Sequence, residues 1–245
     1  MSSFVTEVRQ TLVPDREGAH GPLPPLLLTM TVVTGLVDSF SYLVLGHVFV
    51  ANMTGNVVFL AFALVGARGF SIPASIAALG AFGIGAGIGG RVSSRLARDR
   101  ARLMSVCTTI QTAFVAVAVI LAALSSEPVT QGFRYGLIVA LGLSMGIQNA
   151  GARKLAVPDL TTTVLTMTIT GITADGPLAA GTGAHSGRRG LSLAAMFVGA
   201  VVGALLIVHA QKVYPLAIAL ILAAIVGGST WVLGAAHPPW SRPDH

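Results

Sequence analysis

The chain has 245 residues, of which 53% are hydrophobic and only 10% charged, with a mean hydropathy of +0.80 and a formal net charge of +6. Soluble domains carry about 25% charged residues, so this composition excludes a surface that faces water and predicts one that faces lipid. Nucleic acid is not an expected partner, because no basic stretch is interleaved with aromatic residues. At this length one integral membrane domain is expected.

The two ends of the chain differ from its apolar middle. Residues 1–23 are charged and lack the early apolar core of a cleavable signal peptide, so they are expected to form a polar N-terminal tail. The membrane domain is predicted to cover residues 24–234. Residues 235–245, which contain proline and histidine, are expected to be a disordered C-terminal tail.

The middle of the chain contains eight apolar runs. About twenty residues are needed to cross a bilayer as a helix, and the runs are 24–45, 48–66, 72–90, 103–124, 134–151, 160–180, 191–209 and 215–234. We therefore predict an all-α, polytopic transmembrane bundle with six to eight spans, of which eight is the favoured number.

Two of these runs are interrupted by polar residues. Run 48–66 contains two asparagines, and run 160–180 contains seven threonines. Each run is either a full span with a polar face or a broken or re-entrant helix, which a membrane tolerates only where protein or water covers the backbone.

Basic residues give the first indication of orientation. Residues 91–102 hold five arginines, and such a loop is typical of the cytoplasmic side. If all eight runs cross, the fifteen Lys and Arg residues fall eight on that side and seven on the other. The eight-span topology therefore leaves the orientation almost unspecified.

The two halves of the chain, about 24–124 and 134–234, look like diverged copies. Residues 35–38 align with 146–149 at an offset of 111, and 85–90 align with 199–204 at an offset of 114. Four spans per half would give halves of the same orientation, and three would give inverted halves. Both arrangements occur in secondary transporters, with the site between the halves.

Glycines recur at four-residue spacing in both halves, as Gly83/Gly87, Gly85/Gly89 and Gly199/Gly203. Such pairs let two helix backbones approach closely. Packing within the chain is the favoured interpretation, and a homo-oligomeric interface is left open.

Two blocks of sequence carry a family resemblance. Residues 35–42 read GLVDSFSY, and residues 46–56 read GHVFVANMTGN. Together they resemble the YoaK family, also called DUF1275 or UPF0700, and residues 146–149 and 161–171 resemble its later block. The resemblance covers residues 29–233 and implies a bacterial multi-pass inner-membrane protein of unestablished function. It supplies no catalytic residue and no substrate.

Asp38 is the sharpest candidate for a functional side chain. A carboxylate within a span costs about 3 kcal/mol on insertion scales, and Ser41 and Tyr42 lie on the same helix face and can donate hydrogen bonds to it. The residue is predicted either to bind a proton or cation, or to be a static hydrogen-bonded link between helices.

Four amides and a hydroxyl are predicted to share a polar cavity with Asp38. Asn52 and Asn56 are one turn apart, and Thr54 lies between them where the helix is loosened. Gln148 and Asn149 are the matching polar pair of the second half. Interhelical hydrogen bonding, worth about 0.6–2 kcal/mol per contact, is the alternative role for each amide.

Patterns for catalysis and cofactor binding are absent from the sequence. It has no phosphate-binding loop, no HExxH, no CxxC and no histidine spacing that suits a metal. We therefore expect no enzyme, no cofactor and no metal. The leading hypothesis is a small secondary transporter for an unknown solute or proton. A non-transporting scaffold or assembly factor is the rival.

Overall fold

The computed structural model describes residues 2–13, 18, 20–160, 162, 165–174, 186–236 and 238–242, and all regular structure in these ranges is helical. The helices are α1 Ser2–Leu12, α2 Leu23–Val44, α3 Met53–Leu64, α4 Ile72–Arg95, α5 Arg100–Leu124, α6 Gln131–Leu155, α7 Leu165–Ala174, α8 Ser186–His209 and α9 Tyr214–Gly234. The all-helical prediction is confirmed for this part of the chain.

Several helices begin at a side chain that caps them. Asn52, Ser71 and Asp99 accept hydrogen bonds from the backbone three residues later, at the starts of α3, α4 and α5. A capping oxygen satisfies a backbone N–H that has no partner inside the helix. Proline occupies the first turn of α2, α4 and α9, where its fixed φ fits the helix.

Six of the described helices have the length of a membrane span. They are α2, α4, α5, α6, α8 and α9, with 21 to 25 residues each. All but α6 also contain a stretch of 18 residues that is apolar enough to cross a bilayer. The α6 helix is long enough but carries Arg153 and Lys154 in its last turn.

The two polar-interrupted runs do not give full-length helices among the described residues. The α3 helix has 12 residues and α7 has 10. At 1.5 Å per residue they cover about 18 and 15 Å, against a hydrocarbon core of about 30 Å. The expected eight spans are therefore not confirmed, and the rest of run 160–180 lies partly outside the described residues.

The α4 and α6 helices run side by side in the same direction. Gly85 of α4 lies against the backbone of Leu143, and Gly89 lies one turn further along against Ile147. A Cβ at Gly85 would overlap the Leu143 carbonyl oxygen, so only glycine permits this approach.

The α2 and α8 helices form a second parallel pair of the same kind. Gly199 of α8 lies against the backbone of Val32, and Gly203 lies one turn further along against Leu36. The favoured interpretation of these glycine pairs, packing within the chain, is confirmed for 85/89 and 199/203.

Arginine contacts at both ends show that α2 and α6 run in opposite directions. At one end Arg100 joins His20, just before α2, to the carbonyl of Leu155 at the end of α6, with distances of 3.2 and 2.9 Å. At the other end Arg134, near the start of α6, donates to the carbonyl of Gly46, just after α2, at 3.4 Å. Because α4 is parallel to α6 and α8 to α2, α4 is antiparallel to α2, and α8 to α6.

The α5 helix completes the arrangement, because it is antiparallel to both α6 and α9. The pairs that set these directions are Leu121–Gly136, Cys107–Gly151, Ala101–Gly234 and Thr108–Gly227. The six long helices therefore alternate in direction along the chain. In each half, the segment that contains the short helix starts and ends on the same side of the bundle.

Both predicted tails contain packed residues. The α1 helix lies against the start of α8, where Glu7 Oε2 accepts a hydrogen bond from the Gly187 N–H at 3.0 Å. Near the C-terminus Trp240 is 3% exposed and covers Gly21. The expectation of a disordered C-terminal tail is therefore wrong for residues 238–242, since a large indole gains more by burial than by exposure.

Candidate functional site

A cavity of about 630 Å³ lies between helices of both halves. It is bounded by α2, the start of α3, α4, α7 and α8. Its polar lining comes from Asp38, Asn52, Thr54 and Thr166, and its apolar lining includes Phe82 and Met196. Asp38 is buried inside the bundle, and this cavity is the space that its side chain lines.

Asp38 has one anchored and one open carboxylate oxygen. The residue is 4% exposed. Its Oδ1 accepts hydrogen bonds from the backbone N–H groups of Val50 at 3.3 Å and Ala51 at 3.0 Å. None of the described residues donates a hydrogen bond to Oδ2. This oxygen is not fully buried, and Asp38 lines the cavity.

The segment between α2 and α3 turns back into the bundle. The α2 helix ends at Val44, yet Val50 and Ala51 bind Asp38, which lies six residues before that end. Six residues of helix correspond to about 9 Å, so the chain returns by that depth before α3 begins. The Asn52 side chain then caps α3 by accepting from Gly55 N at 3.4 Å. The first turn of α3 therefore lies at the cavity.

Asn56 holds this returning segment in place. Its Oδ1 accepts from the Phe49 N–H at 2.9 Å, and its Nδ2 donates to the Phe49 carbonyl at 2.6 Å. The residue is fully buried and does not line the cavity. Two hydrogen bonds to one residue's backbone give Asn56 the geometry of an anchor.

Ser41 and Tyr42 lie behind Asp38 and outside the cavity lining. The Ser41 hydroxyl donates to the backbone carbonyl of Asp38 at 3.1 Å, so it does not reach the carboxylate. The Tyr42 ring stacks on Phe49 at 4.9 Å and meets His47 edge-on at 5.1 Å. Tyr42 therefore packs against the returning segment, whereas Ser41 bonds within α2.

Gln148 belongs to a separate buried group of polar side chains. Its Nε2 donates to Thr34 Oγ1 at 2.8 Å and to the Met30 carbonyl at 3.3 Å, while its Oε1 accepts from Gln111 Nε2 at 2.6 Å. Asn149 donates to the Met145 carbonyl of its own helix at 2.9 Å. This group links α2, α5 and α6.

The structure thus divides the eight predicted site residues. Asp38, Asn52 and Thr54 share the cavity. The other five lie outside its lining: Ser41, Tyr42, Asn56, Gln148 and Asn149. The second half contributes Thr166 and Met196 to the cavity instead of the predicted amide pair.

The sequence patterns indicate no role for Gln111, Phe82, Met196 or Thr166. Gln111 had a usable signal, because it is an amide in the middle of an apolar span and such groups seek partners. Thr166 lies in the threonine-rich run. Nothing in the sequence distinguishes Phe82 or Met196 from other apolar residues of their helices.

The cavity has one formal charge within the described part of its lining, the carboxylate of Asp38. Across the described ranges, no three His, Cys, Asp or Glu side chains come together in a group able to hold a metal ion. The chemistry that the lining offers is therefore hydrogen bonding, one negative charge and apolar contact.

Comparison with known proteins identifies the family. The model of the family described as "Protein of unknown function (DUF1275)" matches residues 26–229. The UPF0700 transmembrane protein YoaK of Bacillus subtilis (strain 168) is 33% identical over 152 residues, which are 61% of this chain and 65% of YoaK. The matched part therefore spans less than two thirds of that relative. No solved structure matches the chain. The chain belongs to the DUF1275 family and is a membrane protein.

Proposed function

We propose that this protein is a small secondary transporter of the bacterial inner (plasma) membrane, with the Asp38 cavity as its central site. The cavity is the observation that carries the proposal. It holds a carboxylate whose Oδ2 has no partner among the described residues, in the interior of a helical bundle and at the junction of two halves of the chain. An acid inside a membrane domain is costly, and such residues commonly mark solute or proton pathways.

The proposed topology has six spans: α2, α4, α5, α6, α8 and α9. With α3 and α7 as re-entrant helices, Arg68, Arg134 and Lys212 fall on one side of the membrane, and the other twelve of the fifteen Lys and Arg residues fall on the opposite side. The positive-inside rule then assigns the twelve to the cytoplasm, together with both ends of the chain. The division of the basic residues between the two sides thus changes from eight and seven in the eight-span topology to twelve and three.

Three spans per half make the proposed repeat an inverted one. The glycine crossings support it residue by residue, because the offset of 114 relates Gly85 to Gly199, and the offset of 111 relates Val32 to Leu143. Gly85 lies against Leu143, and Gly199 lies against Val32. The repeat relates α2 to α6 and α4 to α8, so the parallel pair α4–α6 corresponds to the parallel pair α8–α2.

The same offsets relate residues that line the cavity. Phe82 and Met196 are 114 residues apart, and Gly55 and Thr166 are 111 apart. A site at the axis of an inverted repeat, reached by short helices that start inside the membrane, is the arrangement found in several secondary transporters. Rocking of one half against the other would open the site to either side in turn.

The test is solute flux in reconstituted vesicles, with the wild type and the variant Asp38→Asn. Asparagine keeps an Oδ1 that can accept from Val50 and Ala51, so the returning segment stays anchored while the charge is lost. We expect flux across a screened solute panel to fall at least tenfold, with unchanged elution in size-exclusion chromatography. Asp159→Asn, at an acid paired with Arg189 at 2.9 Å outside the cavity, is the matched control. Wild-type flux in Asp38→Asn would contradict the proposal.

The rival function, a non-transporting scaffold, has its own support. Oδ1 of Asp38 fixes two backbone groups of the returning segment, which is what a static link would do. A scaffold predicts that Asp38→Asn changes thermal stability or partner capture alone. Measured wild-type flux for any solute of the panel would exclude it as the sole function.

A further inference from the structure

We propose that the solute accepted by the Asp38 cavity is an organic ammonium ion, that is, a protonated amine attached to an apolar body. The inference rests on the proposed transport function and adds a substrate class to it. It is carried by three features of one cavity: a carboxylate oxygen and two hydroxyls that have no partner in the described part of the chain, and a lining of aromatic and thioether side chains.

The charge of the described lining favours a cation. Asp38 is its single ionisable side chain, and Oδ2 receives no hydrogen bond from the described residues. The first turns of α3 and α7 also face the cavity, but each helix N-terminus contributes at most about half a positive charge. In α3 the Gly55 N–H is already bound by the Asn52 side chain. An anionic solute would meet the carboxylate with no cationic side chain in the described part of the lining.

Two hydroxyls complete the acceptors that an ammonium group requires. An ammonium has three N–H donors and no acceptor. Besides Asp38 Oδ2, the hydroxyl oxygens of Thr54 and Thr166 line the cavity, and neither has a partner among the described residues. These two residues come from the starts of α3 and α7, one in each half. The three oxygen acceptors of the lining, one carboxylate oxygen and two hydroxyls, therefore equal in number the donors of the proposed head group.

The remaining lining suits an apolar body. It includes the aromatic residues Phe59 and Phe82 and the thioether residues Met53 and Met196. The Met53 sulfur also accepts a hydrogen bond from Asn56 Nδ2 at 3.6 Å. Aromatic rings attract cations by about 0.5–2 kcal/mol, and methionine adapts to irregular shapes. The volume of about 630 Å³ falls within the range of sites for drug-sized molecules. A bare inorganic cation would leave most of it empty.

The experiment uses three probes with one body and three head groups: 2-phenylethylammonium, neutral 2-phenylethanol and anionic phenylacetate. Binding to the purified full-length protein in detergent is measured by calorimetry near neutral pH. We expect 2-phenylethylammonium to bind at least tenfold more tightly than 2-phenylethanol, and phenylacetate to bind most weakly. Phenylacetate binding as tightly as the ammonium, or no ammonium binding to the wild type, would overturn the inference.

Three variants locate the binding. Asp38→Asn should lower the ammonium affinity at least tenfold and leave the affinity for 2-phenylethanol unchanged. Thr54→Val should lower the ammonium affinity a few-fold, and Asp159→Asn should leave it unchanged. Unaltered ammonium binding in Asp38→Asn, with the protein still monodisperse, would refute the site.

The outcomes separate this inference from the transport proposal. Charge-selective binding without flux would retain the ammonium site and reject the carrier. Asp38-dependent flux of a different solute, without ammonium binding, would retain the carrier and reject the ammonium.

Discussion

Buried polar side chains have different roles in this bundle. The Asn56 amide is fully buried and bonded at both ends to Phe49, and it lies outside the cavity lining. Asp38 uses one oxygen for the returning segment and leaves the other at the cavity. A buried polar group costs free energy unless it is partnered. The partnered atoms therefore stabilise the fold, and the open oxygen is the atom available to the proposed solute.

Asn56→Ala should destabilise the protein without removing a cavity group. Alanine leaves the Phe49 N–H and carbonyl without their partners, and each unsatisfied buried group costs about 1–3 kcal/mol. We expect a loss of at least about 2 kcal/mol, measured by thermal or denaturant unfolding in detergent.

Thr54→Ala is the matched control, because Thr54 is exposed in the same helix and makes no hydrogen bond to the described residues. Its effect on stability should stay within about 0.5 kcal/mol. Equal losses for the two variants would mean that Asn56 is not the anchor of the segment.

At the scale of elements, glycine decides which helices can touch. Gly85 and Gly83 lie two residues apart on α4, and they face different surroundings. A Cβ at Gly85 would overlap the Leu143 backbone, whereas a Cβ at Gly83 would meet nothing within 4 Å. The sequence pattern of glycines at four-residue spacing includes both positions, but only one of them packs against α6.

Gly85→Leu should therefore separate α4 from α6, and Gly83→Leu should be tolerated. Overpacking a close contact costs about 1–3 kcal/mol or more. The new side chain would meet the backbone of Leu143, which cannot change rotamer to make room. We expect Gly85→Leu to lower the yield of monodisperse protein and its melting temperature by several degrees, while Gly83→Leu melts within about a degree of the wild type. Similar melting of the two variants would contradict the observed crossing.

The sequence predicted the long helices well and the short ones poorly. Apolar length identifies a span because the bilayer fixes how many residues are needed, and the six long helices lie where such runs occur. Run 48–66 is equally apolar, yet its first part returns along α2 because Val50 and Ala51 bind Asp38. Hydropathy depends only on local composition and contains no information about such a long-range hydrogen bond. It therefore cannot distinguish a membrane-crossing segment from a re-entrant one.

The site was predictable only in part, for a related reason. Asp38, Asn52 and Thr54 line one cavity because they lie near one another on two consecutive elements. Gln148 was grouped with them by its alignment to the first half, but its side chain turns to Thr34 and Gln111. An alignment of backbones does not fix the direction of a side chain, which follows the nearest satisfied hydrogen bond.

For the whole molecule, helix direction and charge lead to the same topology. The alternating directions of the six long helices come from contacts such as Arg100 with His20 and Leu155, and Arg134 with Gly46. The distribution of Lys and Arg was not used to obtain them. Six alternating spans separate twelve basic residues from three. This separation is therefore independent support for the proposed orientation.

This topology and the eight-span alternative assign opposite sides to two exposed positions. Gln211 lies between α8 and α9, and Arg242 follows the last span. We expect a membrane-impermeant maleimide to label Gln211→Cys on intact cells and Arg242→Cys only after permeabilisation. The one native cysteine, Cys107, is buried and gives little background. Eight spans, with the arginine-rich loop in the cytoplasm, would place Gln211 inside and Arg242 outside, so the reverse labelling pattern would reject the re-entrant assignment of α3 and α7 and with it the inverted repeat.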